Sequence, residues 1–361
     1  MIVYVSKSTI KILCMRKIYF VCPNTTHITG GVKQIYKQVE ILNRNGISAC
    51  VLLEKKKQSN IWLTSYNIPI KYSPYLFKRL RYFFGDKKLN IKRKLKLYYL
   101  QRKSEKIDDS VILVFPEIYG IYIKDVFPDT PKVIFNQGCY MTFSGFSIDK
   151  DYPITPYNDR KTLATIVASE DAFSYLSYTF KGLNIYRMIL GIDNAIFNYS
   201  AEKSKQICFM PRKMEEDIIQ VIHILKQRGR VQNWDFVSID NKTEKEVSEI
   251  MKKSIFFLSF NRNEGFGLPA AEAMACGCYV IGYHGQGGKE YFKPEFSTII
   301  EAGNIIEYVK EIEEKIALYE KDSFAFLEKG KRASQFILSN YSIEKEEESI
   351  LKIWNKILSN T

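Results

Sequence analysis

The chain has 361 residues, of which 46% are hydrophobic and 26% are charged, and its formal net charge is +13. This length allows two domains that each bury a core, and the composition is typical of a globular protein rather than a disordered one. No segment reaches the ~18 uninterrupted apolar residues of a membrane-spanning helix. Seven scattered cysteines, an odd number, favour a reducing cytoplasm over a disulfide-stabilised secreted fold.

The start of the chain does not have the pattern of a signal peptide. Lys7 and Lys11 interrupt its apolar stretch, and no small-residue cleavage site follows. Residues 18–22 are then predicted to be the first strand of a domain. We therefore expect residues 1–14 to be a dispensable leader.

The first half of the chain alternates between strand and helix. A helix is predicted over 32–44, where apolar residues recur at helical spacing, and a strand over 47–53. Further strands are predicted at 111–115, 133–136 and 165–168. Strands that alternate with helices indicate a parallel, doubly wound sheet.

Two pairs of residues beside these strands are candidate ligand contacts. Gly30 and Gly31 open the first helix after a strand, so they can present backbone amides to a phosphate or let an acceptor approach. The alternative is that they are ordinary turn glycines. Asn136 and Gln137 follow another strand, whose carboxyl end opens on the same edge of the sheet, and they are candidates for the acceptor side of the site.

The segment from residue 71 to residue 106, which we call the basic segment, accounts for most of the net positive charge, +11 of +13. It holds thirteen cationic side chains against two acidic ones, interleaved with tyrosines and phenylalanines. This combination is expected of a segment that lies on an anionic membrane surface. Nucleic acid makes the same electrostatic demand, but no recognisable RNA-binding or DNA-binding module is present, so we expect no nucleic-acid partner. An idle, solvated helical pair is the remaining alternative.

A short hydrophobic segment at 189–197 separates the halves, and the alternation of strands and helices resumes after it. Strands are predicted at 207–210, 236–239, 255–260 and 278–282. Arg212 and Lys213 follow the first of these strands. They lie at its carboxyl end, where parallel sheets open on a ligand-binding cleft. They can neutralise a diphosphate, and because they are adjacent, either one could make the contact.

The most specific segment follows the third strand of the second half. Glu264 and Glu272 enclose the seven residues GFGLPAA. Gly265 and Gly267 let the backbone approach a ligand, and Pro269 suits the first turn of a helix. The unpaired amides at the start of that helix form a phosphate site, and the two carboxylates can accept hydrogen bonds from hydroxyl groups on either side of it. The alternative is an ordinary strand, turn and helix with two solvated glutamates.

The string EGFGLPAAEAMACG resembles the E-x7-E signature of the retaining glycosyltransferases of family 4, and it matches across the full motif. The segment at 189–197 is similar to the family's "nGID…F" linker, and residues 287–290 match its "GG-x-E", which would shape the loop after the next strand. The resemblance implies the GT-B architecture, an α/β fold in which two Rossmann-like domains with parallel sheets face a cleft.

In that architecture each part of the chain has an expected place. Residues 1–190 would form an N-terminal acceptor domain that includes the basic segment. Residues 191–340 would form the nucleotide-sugar domain. The amphipathic helix predicted within residues 341–361 would cross back to the N-terminal domain, although it could instead pack on its own domain.

The resemblance also implies an activity and roles for the motif residues. The activity is transfer of a hexose, with retention, from a nucleotide-diphosphate sugar to a saccharide or lipid-linked saccharide. It would serve surface polysaccharide synthesis in the cytoplasm, at the inner face of the cell membrane. Glu264 would hold the donor sugar and Glu272 the ribose. Backbone contacts would come from Gly265, Phe266, Gly267 and Leu268. Such enzymes require no metal or other cofactor, because backbone amides and basic side chains, here Arg212 and Lys213, stabilise the departing diphosphate.

Two other functions stay open. A nucleotide-sugar epimerase has a similar two-domain shape, and a non-catalytic relative would bind only a partner or a membrane. A metal site is not predicted, because His27, His223 and His284 are far apart and no second ligand pair stands near Cys276 and Cys278.

Overall fold

In the computed structural model, residues 16–23, 25, 29–56, 66–85 and 87–360 are described. The expected leader, residues 1–14, and His27 lie outside the described residues. Within the described ranges, none of the helices is both long enough and apolar enough to span a bilayer.

The first domain is built on a sheet of seven strands. They are β1 (Lys17–Val21), β2 (Ala49–Leu53), β3 (Ile70–Tyr72), β4 (Val111–Pro116), β5 (Lys132–Asn136), β6 (Thr162–Val167) and β7 (Ile185–Arg187). All pair in parallel, in the order β3-β2-β1-β4-β5-β6-β7. The helices of this domain are α1 (Gly30–Arg44), α2 (Pro74–Phe84), α3 (Ile91–Gln101) and α4 (Glu170–Thr179). Two 3-10 helices, Glu117–Ile123 and Cys139–Met141, follow β4 and β5.

The second domain is built on a sheet of five strands. They are β8 (Ser204–Phe209), β9 (Asp235–Ser238), β10 (Ser254–Glu264), β11 (Tyr279–Gln286) and β12 (Ser297–Ile299). They also pair in parallel, in the order β12-β11-β10-β8-β9. The remaining helices are α5 (Glu215–Arg228), α6 (Glu244–Lys253), α7 (Leu268–Ala275), α8 (Ile305–Lys321), α9 (Ser323–Asn340) and α10 (Ile343–Ser359), with a 3-10 helix at Gly287–Glu290. The predicted pair of parallel, Rossmann-like sheets is confirmed.

The sequence of each strand reflects its depth in the sheet. Every residue of β4 is buried, as expected of a parallel strand that is covered on both faces, and such strands read as continuous apolar runs. β3 and β7, at the edges of the first sheet, are only three residues long and half-exposed. They were not predicted, because so short a segment shows no period.

The last helix, α10, lies against the first domain. Trp354 is fully buried, with its ring centroid 5.7 Å from that of Phe20, and its Nε1 donates to Gln38 Oε1 at 3.3 Å. Lys37 Nζ also lies 2.8 Å from Glu346 Oε2. The end of the chain therefore ties the second domain to α1 and β1 of the first.

Candidate active site

A cavity of about 630 Å³ lies between the two sheets, where loops leave the carboxyl ends of strands from both domains. Its volume is in the range of about 300–1,000 Å³ that is typical of small-molecule sites. The cavity brings together all but one of the residues that the sequence predicted. Those that line it are Gly30, Gly31, Gln137, Arg212, Lys213, Glu264, Gly265, Phe266, Gly267, Leu268 and Glu272.

The loop between the two motif glutamates has a conformation that requires glycine. Gly267 is the N-cap of α7 and has a φ of +87°, in the left-handed region. A Cβ there would also come within 2.7 Å of the hydroxyl of Tyr291, which lies 2.7 Å from the Gly267 carbonyl oxygen. Pro269 is the second residue of α7, where no amide hydrogen bond is needed. The first turn of α7 therefore begins at the cavity, where Leu268 lines the wall and the Ala270 N–H donates to the Gly267 carbonyl oxygen at 3.1 Å.

The two domains touch at this loop. A Cβ on Gly265 would come within 1.5 Å of the backbone oxygen of Gln137, so only glycine permits this approach. The side chain of Gln137 in turn donates from Nε2 to the Gly31 carbonyl oxygen at 3.2 Å. Gln137 therefore joins the glycine pair of α1 to the motif loop of the second domain.

A buried carboxyl that sequence reasoning missed holds Gln137 in place. Glu117 is 5% exposed, and its Oε2 accepts the Gln137 N–H at 3.0 Å. Burial raises the pKa of Glu117 to about 7, although backbone hydrogen bonds from Gln137 and Gly138 act in the opposite direction. Its position directly after β4, at the carboxyl end of a predicted strand, was the signal that could have found it.

Asn136 does not line the cavity, contrary to the prediction. It is buried, and its Nδ2 donates to Thr142 Oγ1 at 3.1 Å and to the Tyr157 hydroxyl at 2.8 Å. Successive side chains of a strand point to opposite faces, so adjacent residues at the end of β5 cannot both face the cleft. Asn136 supports the loop that follows β5, and Gln137 alone reaches the cavity.

Glu264 and Lys213 meet at the cavity. Lys213 Nζ donates to Glu264 Oε1. Lys213 lies in the loop after β8, and Glu264 is the last residue of β10. A cation and a carboxylate are thus held beside the amides of α7. An anionic ligand placed there would compete with Glu264 for Lys213. Arg212 lines the same cavity, and within the part of the chain described it forms no ion pair.

Glu272, one turn into α7, lines the cavity without a hydrogen-bond donor among the described residues. Burial raises the pKa of this carboxyl to about 7, while Lys33 and Lys37 lower it and Glu244 raises it. The side chain of Glu272 is half-buried, and a partly desolvated carboxyl without a donor gains stability when a ligand supplies a hydrogen bond. Glu272 is therefore suited to accept a hydrogen bond from a ligand hydroxyl.

A second ion pair crosses the cavity between the domains. Lys33, on α1, donates to Glu244, the first residue of α6, and both side chains line the cavity. Sequence reasoning missed this pair, because 211 positions separate its members and neither lies in a motif.

Glu290, in the "GG-x-E" segment, does more than shape a loop. Its carboxylate accepts from the Glu170 N–H at 2.8 Å, from Arg187 Nη2 at 2.6 Å and from the Tyr341 hydroxyl at 2.9 Å. Glu170 starts α4 and Arg187 ends β7, so Glu290 links the second domain to two elements of the first. Gly287 lies in the same segment, and its backbone packs so closely on Gly265 that a Cβ would come 2.2 Å from the Gly265 oxygen.

Solved structures with the same architecture identify the fold of this chain. Solved structures that resemble the chain include a TarM mutant from S. aureus in complex with fondaparinux, alpha-GlcNAc-glycerol and UDP (TM-score 0.67, 13% identity, 95% of this chain and 100% of that chain). Another is Alr3699/HepE from Anabaena in complex with UDP and glucose (TM-score 0.64, 13% identity, 94% and 100%). The fold is GT-B.

Two comparisons of sequence add to the structural ones. Residues 220–335, within the second domain, match the family described as "Glycosyl transferases group 1". An alpha-1,6-glucosyltransferase from Actinobacillus pleuropneumoniae serotype 7 (strain AP76) is 32% identical over 186 residues, which are 48% of this chain. The match spans about half of that relative's length, 53%.

Proposed function

We propose that this GT-B protein is a retaining glycosyltransferase, with the family 4 type of E-x7-E motif. It moves a hexose from a nucleotide-diphosphate sugar to a saccharide or lipid-linked saccharide acceptor. One observation carries the proposal. Both motif carboxylates, the glycine loop between them and the basic pair after β8 line a single cavity that the first domain completes.

Each cavity residue has a role in this proposal. The diphosphate lies at the start of α7, where the helix dipole and Arg212 or Lys213 stabilise its charge. Glu264 accepts hydrogen bonds from the donor sugar, and Glu272 accepts them from the ribose. Their separation along one loop and helix suits a donor with a hydroxyl-bearing ring on each side of a diphosphate.

The chemical step uses the departing diphosphate itself. The acceptor hydroxyl attacks the anomeric carbon on the face that the diphosphate leaves, and the bond from that carbon to the diphosphate oxygen breaks. A diphosphate oxygen takes the hydroxyl proton. We propose that no metal takes part, because α7 amides and the two basic side chains provide positive potential where negative charge develops.

The names of similar proteins suggest the first donor to test. The solved structures of TarM and HepE contain UDP, and the Actinobacillus relative is an alpha-1,6-glucosyltransferase. We infer that UDP-glucose is a donor for this chain. Its product would belong to a surface polysaccharide, and the protein would act in the cytoplasm, on the anionic inner face of the cell membrane that the basic segment favours.

Turnover with a panel of donors tests the proposal. With UDP-glucose and saccharide acceptors, UDP release should require an acceptor, and NMR should show the donor's anomeric configuration in the product. Glu264→Gln should lower kcat/KM by about 10–100-fold, the effect of one charged hydrogen bond in the transition state. Turnover without acceptor would indicate an epimerase, and no turnover with any donor would indicate a non-catalytic relative.

A further inference from the structure

The two helices of the basic segment are packed in opposite ways. α2 buries four large side chains, at Leu76, Phe77, Leu80 and Tyr82. α3 buries only Leu97 among its residues, all of which are described. The apolar side chains of α3 are instead turned outward: Ile91 is 77% exposed, Leu95 63%, and Tyr98 and Tyr99 56% each.

These four outward residues form one face of α3, which we call the outer stripe. Ile91, Leu95 and Tyr98 recur at spacings of four and three, and Tyr99 follows Leu95 by four, so they are neighbours on successive turns. The stripe lies on the side of the helix away from Leu97. Contiguous exposed apolar patches on soluble proteins mark sites that something covers.

Lysines border the outer stripe on both sides. Lys92 and Lys96 lie along one flank and Lys94 along the other, all exposed, and α3 contains no acidic residue. At the end of the helix, Arg102 lies 4.8 Å from the ring centroid of Tyr98, and Lys103 lies 4.3 Å from that of Tyr99. Each tyrosine therefore has a cation beside its ring. Tyrosine side chains favour the boundary between apolar and aqueous phases.

Further exposed apolar residues precede α3 in the chain. Phe84, at the end of α2, is 50% exposed, and its ring centroid is 4.7 Å from that of Tyr122. Leu89, between the two helices, is also exposed. Exposed apolar side chains therefore also stand at the end of α2 and in the connection from α2 to α3.

We propose that the outer stripe of α3 inserts in the plane of an anionic lipid bilayer, with Lys92, Lys94 and Lys96 at the phosphate groups. The partner must supply an apolar phase for isoleucine and leucine together with a dense negative charge, and an anionic membrane supplies both. Nucleic acid supplies the charge without the apolar phase. The inference rests on the membrane partner of the proposed function and assigns the contact to one face of one helix.

Vesicle cosedimentation tests the charge and the apolar face separately. The full chain should bind phosphatidylcholine vesicles that contain phosphatidylglycerol and bind pure phosphatidylcholine vesicles far more weakly. Leu95→Asp should weaken binding to the anionic vesicles about tenfold or more, the effect of one lost buried leucine. The triple variant K92Q/K94Q/K96Q should weaken it roughly a hundredfold, at about fivefold for each lysine. Ile306→Asp, at an equally exposed apolar residue of α8, is the matched control and should bind like the wild type.

Tryptophan fluorescence locates the insertion. In the Leu95→Trp variant, emission should shift to shorter wavelength on addition of anionic vesicles and should be quenched by brominated lipid. Ile306→Trp should show neither change. The substituted positions are exposed, so thermal unfolding midpoints should stay at the wild-type value.

Several results would overturn the inference. The first is that Leu95→Asp binds anionic vesicles as well as the wild type does, and the second is that the wild type does not bind them at all. The third is that the wild type is a dimer in solution and Leu95→Asp dissociates it, which would show that a second copy covers the stripe. Failure of the glycosyltransferase proposal is distinguishable, because it would appear as absent turnover with soluble acceptors, whatever the vesicles show.

Discussion

Glu272 is a cavity residue whose surroundings disfavour its charged form. The folded protein raises the pKa of its carboxyl from 4.5 to about 7 by burial, and no described donor satisfies it. A raised carboxyl pKa means that the folded state holds the proton more tightly than the unfolded state. The associated stability is therefore present below pH 4.5 and is lost as the pH rises through 7.

The first prediction concerns Glu272→Gln. Because the amide cannot ionise, the variant should match the wild type near pH 4.5 and exceed its free energy of unfolding at pH 8 by about 1–3 kcal/mol. Urea unfolding at the two pH values measures the difference. An equal pH dependence in both proteins would show that the carboxyl is not held neutral.

Gly265 carries the second prediction, also at the scale of one residue. Gly265→Ala places a methyl group 1.5 Å from the Gln137 backbone oxygen, so the domains must separate locally or the loop must shift. The variant should lose about 2 kcal/mol or more of stability in urea unfolding.

Gly30→Ala is the matched control for Gly265→Ala. The nearest atom to its new Cβ would be the side-chain carbon Leu268 Cδ1 at 3.4 Å, an ordinary contact. The control should change stability by no more than about 0.5 kcal/mol. Equal effects from the two alanines would mean that the close approach of the domains at Gly265 does not matter.

The elements of the motif were predictable because their signals are local. Three signals lie within a short stretch: the apolar run of β10, the glycines of the loop and the Pro-Ala start of α7. Each of them restricts the backbone where it stands, as a strand, a turn or a helix start. The cavity-facing pairs were not predictable, since Lys33 and Glu244 meet only through the fold. The prediction for Asn136 was wrong because side chains alternate between the two faces of a strand, so the face that Asn136 takes depends on where β5 ends. A single sequence does not locate the end of a strand to one residue.

Glu290 gives the third prediction, at the scale of elements. Its carboxylate joins the 3-10 helix after β11 to α4, β7 and Tyr341, the C-cap residue of α9, and its side chain is 8% exposed. Glu290→Ala leaves Arg187 without its nearest partner, so it should lower stability by about 3 kcal/mol in urea unfolding.

An exposed pair provides the control for Glu290→Ala. Lys205 and Glu320 are about half-exposed at 3.0 Å, and Glu320→Ala should cost less than about 1 kcal/mol, because solvent screens such pairs. A cost for Glu290→Ala no larger than that of the control would rule out the proposed link between domains.

At the scale of the whole molecule, α10 follows the second domain in the chain and packs against the first. Trp354 fills a fully buried site between α10, β1 and α1. Trp354→Ala should therefore cost about 3–5 kcal/mol, as large core truncations do, and should lower donor turnover as the domains lose their alignment. Circular dichroism melts and initial rates measure the two effects. Full activity in a destabilised variant would show that α10 does not set the geometry of the cavity.

The central claim is that the cavity between the domains binds a nucleoside diphosphate at the start of α7. Calorimetric titration of UDP at pH 8, where the Glu272 carboxyl with its raised pKa of about 7 is ionised, into the wild type and into Glu272→Gln tests it most directly. We predict one site per chain for the wild type and an affinity weaker by about 10-fold or more in the variant, the effect of a lost hydrogen bond to a charged group. No heat with uridine, guanosine or thymidine diphosphate, or equal affinity in both proteins, would contradict the claim.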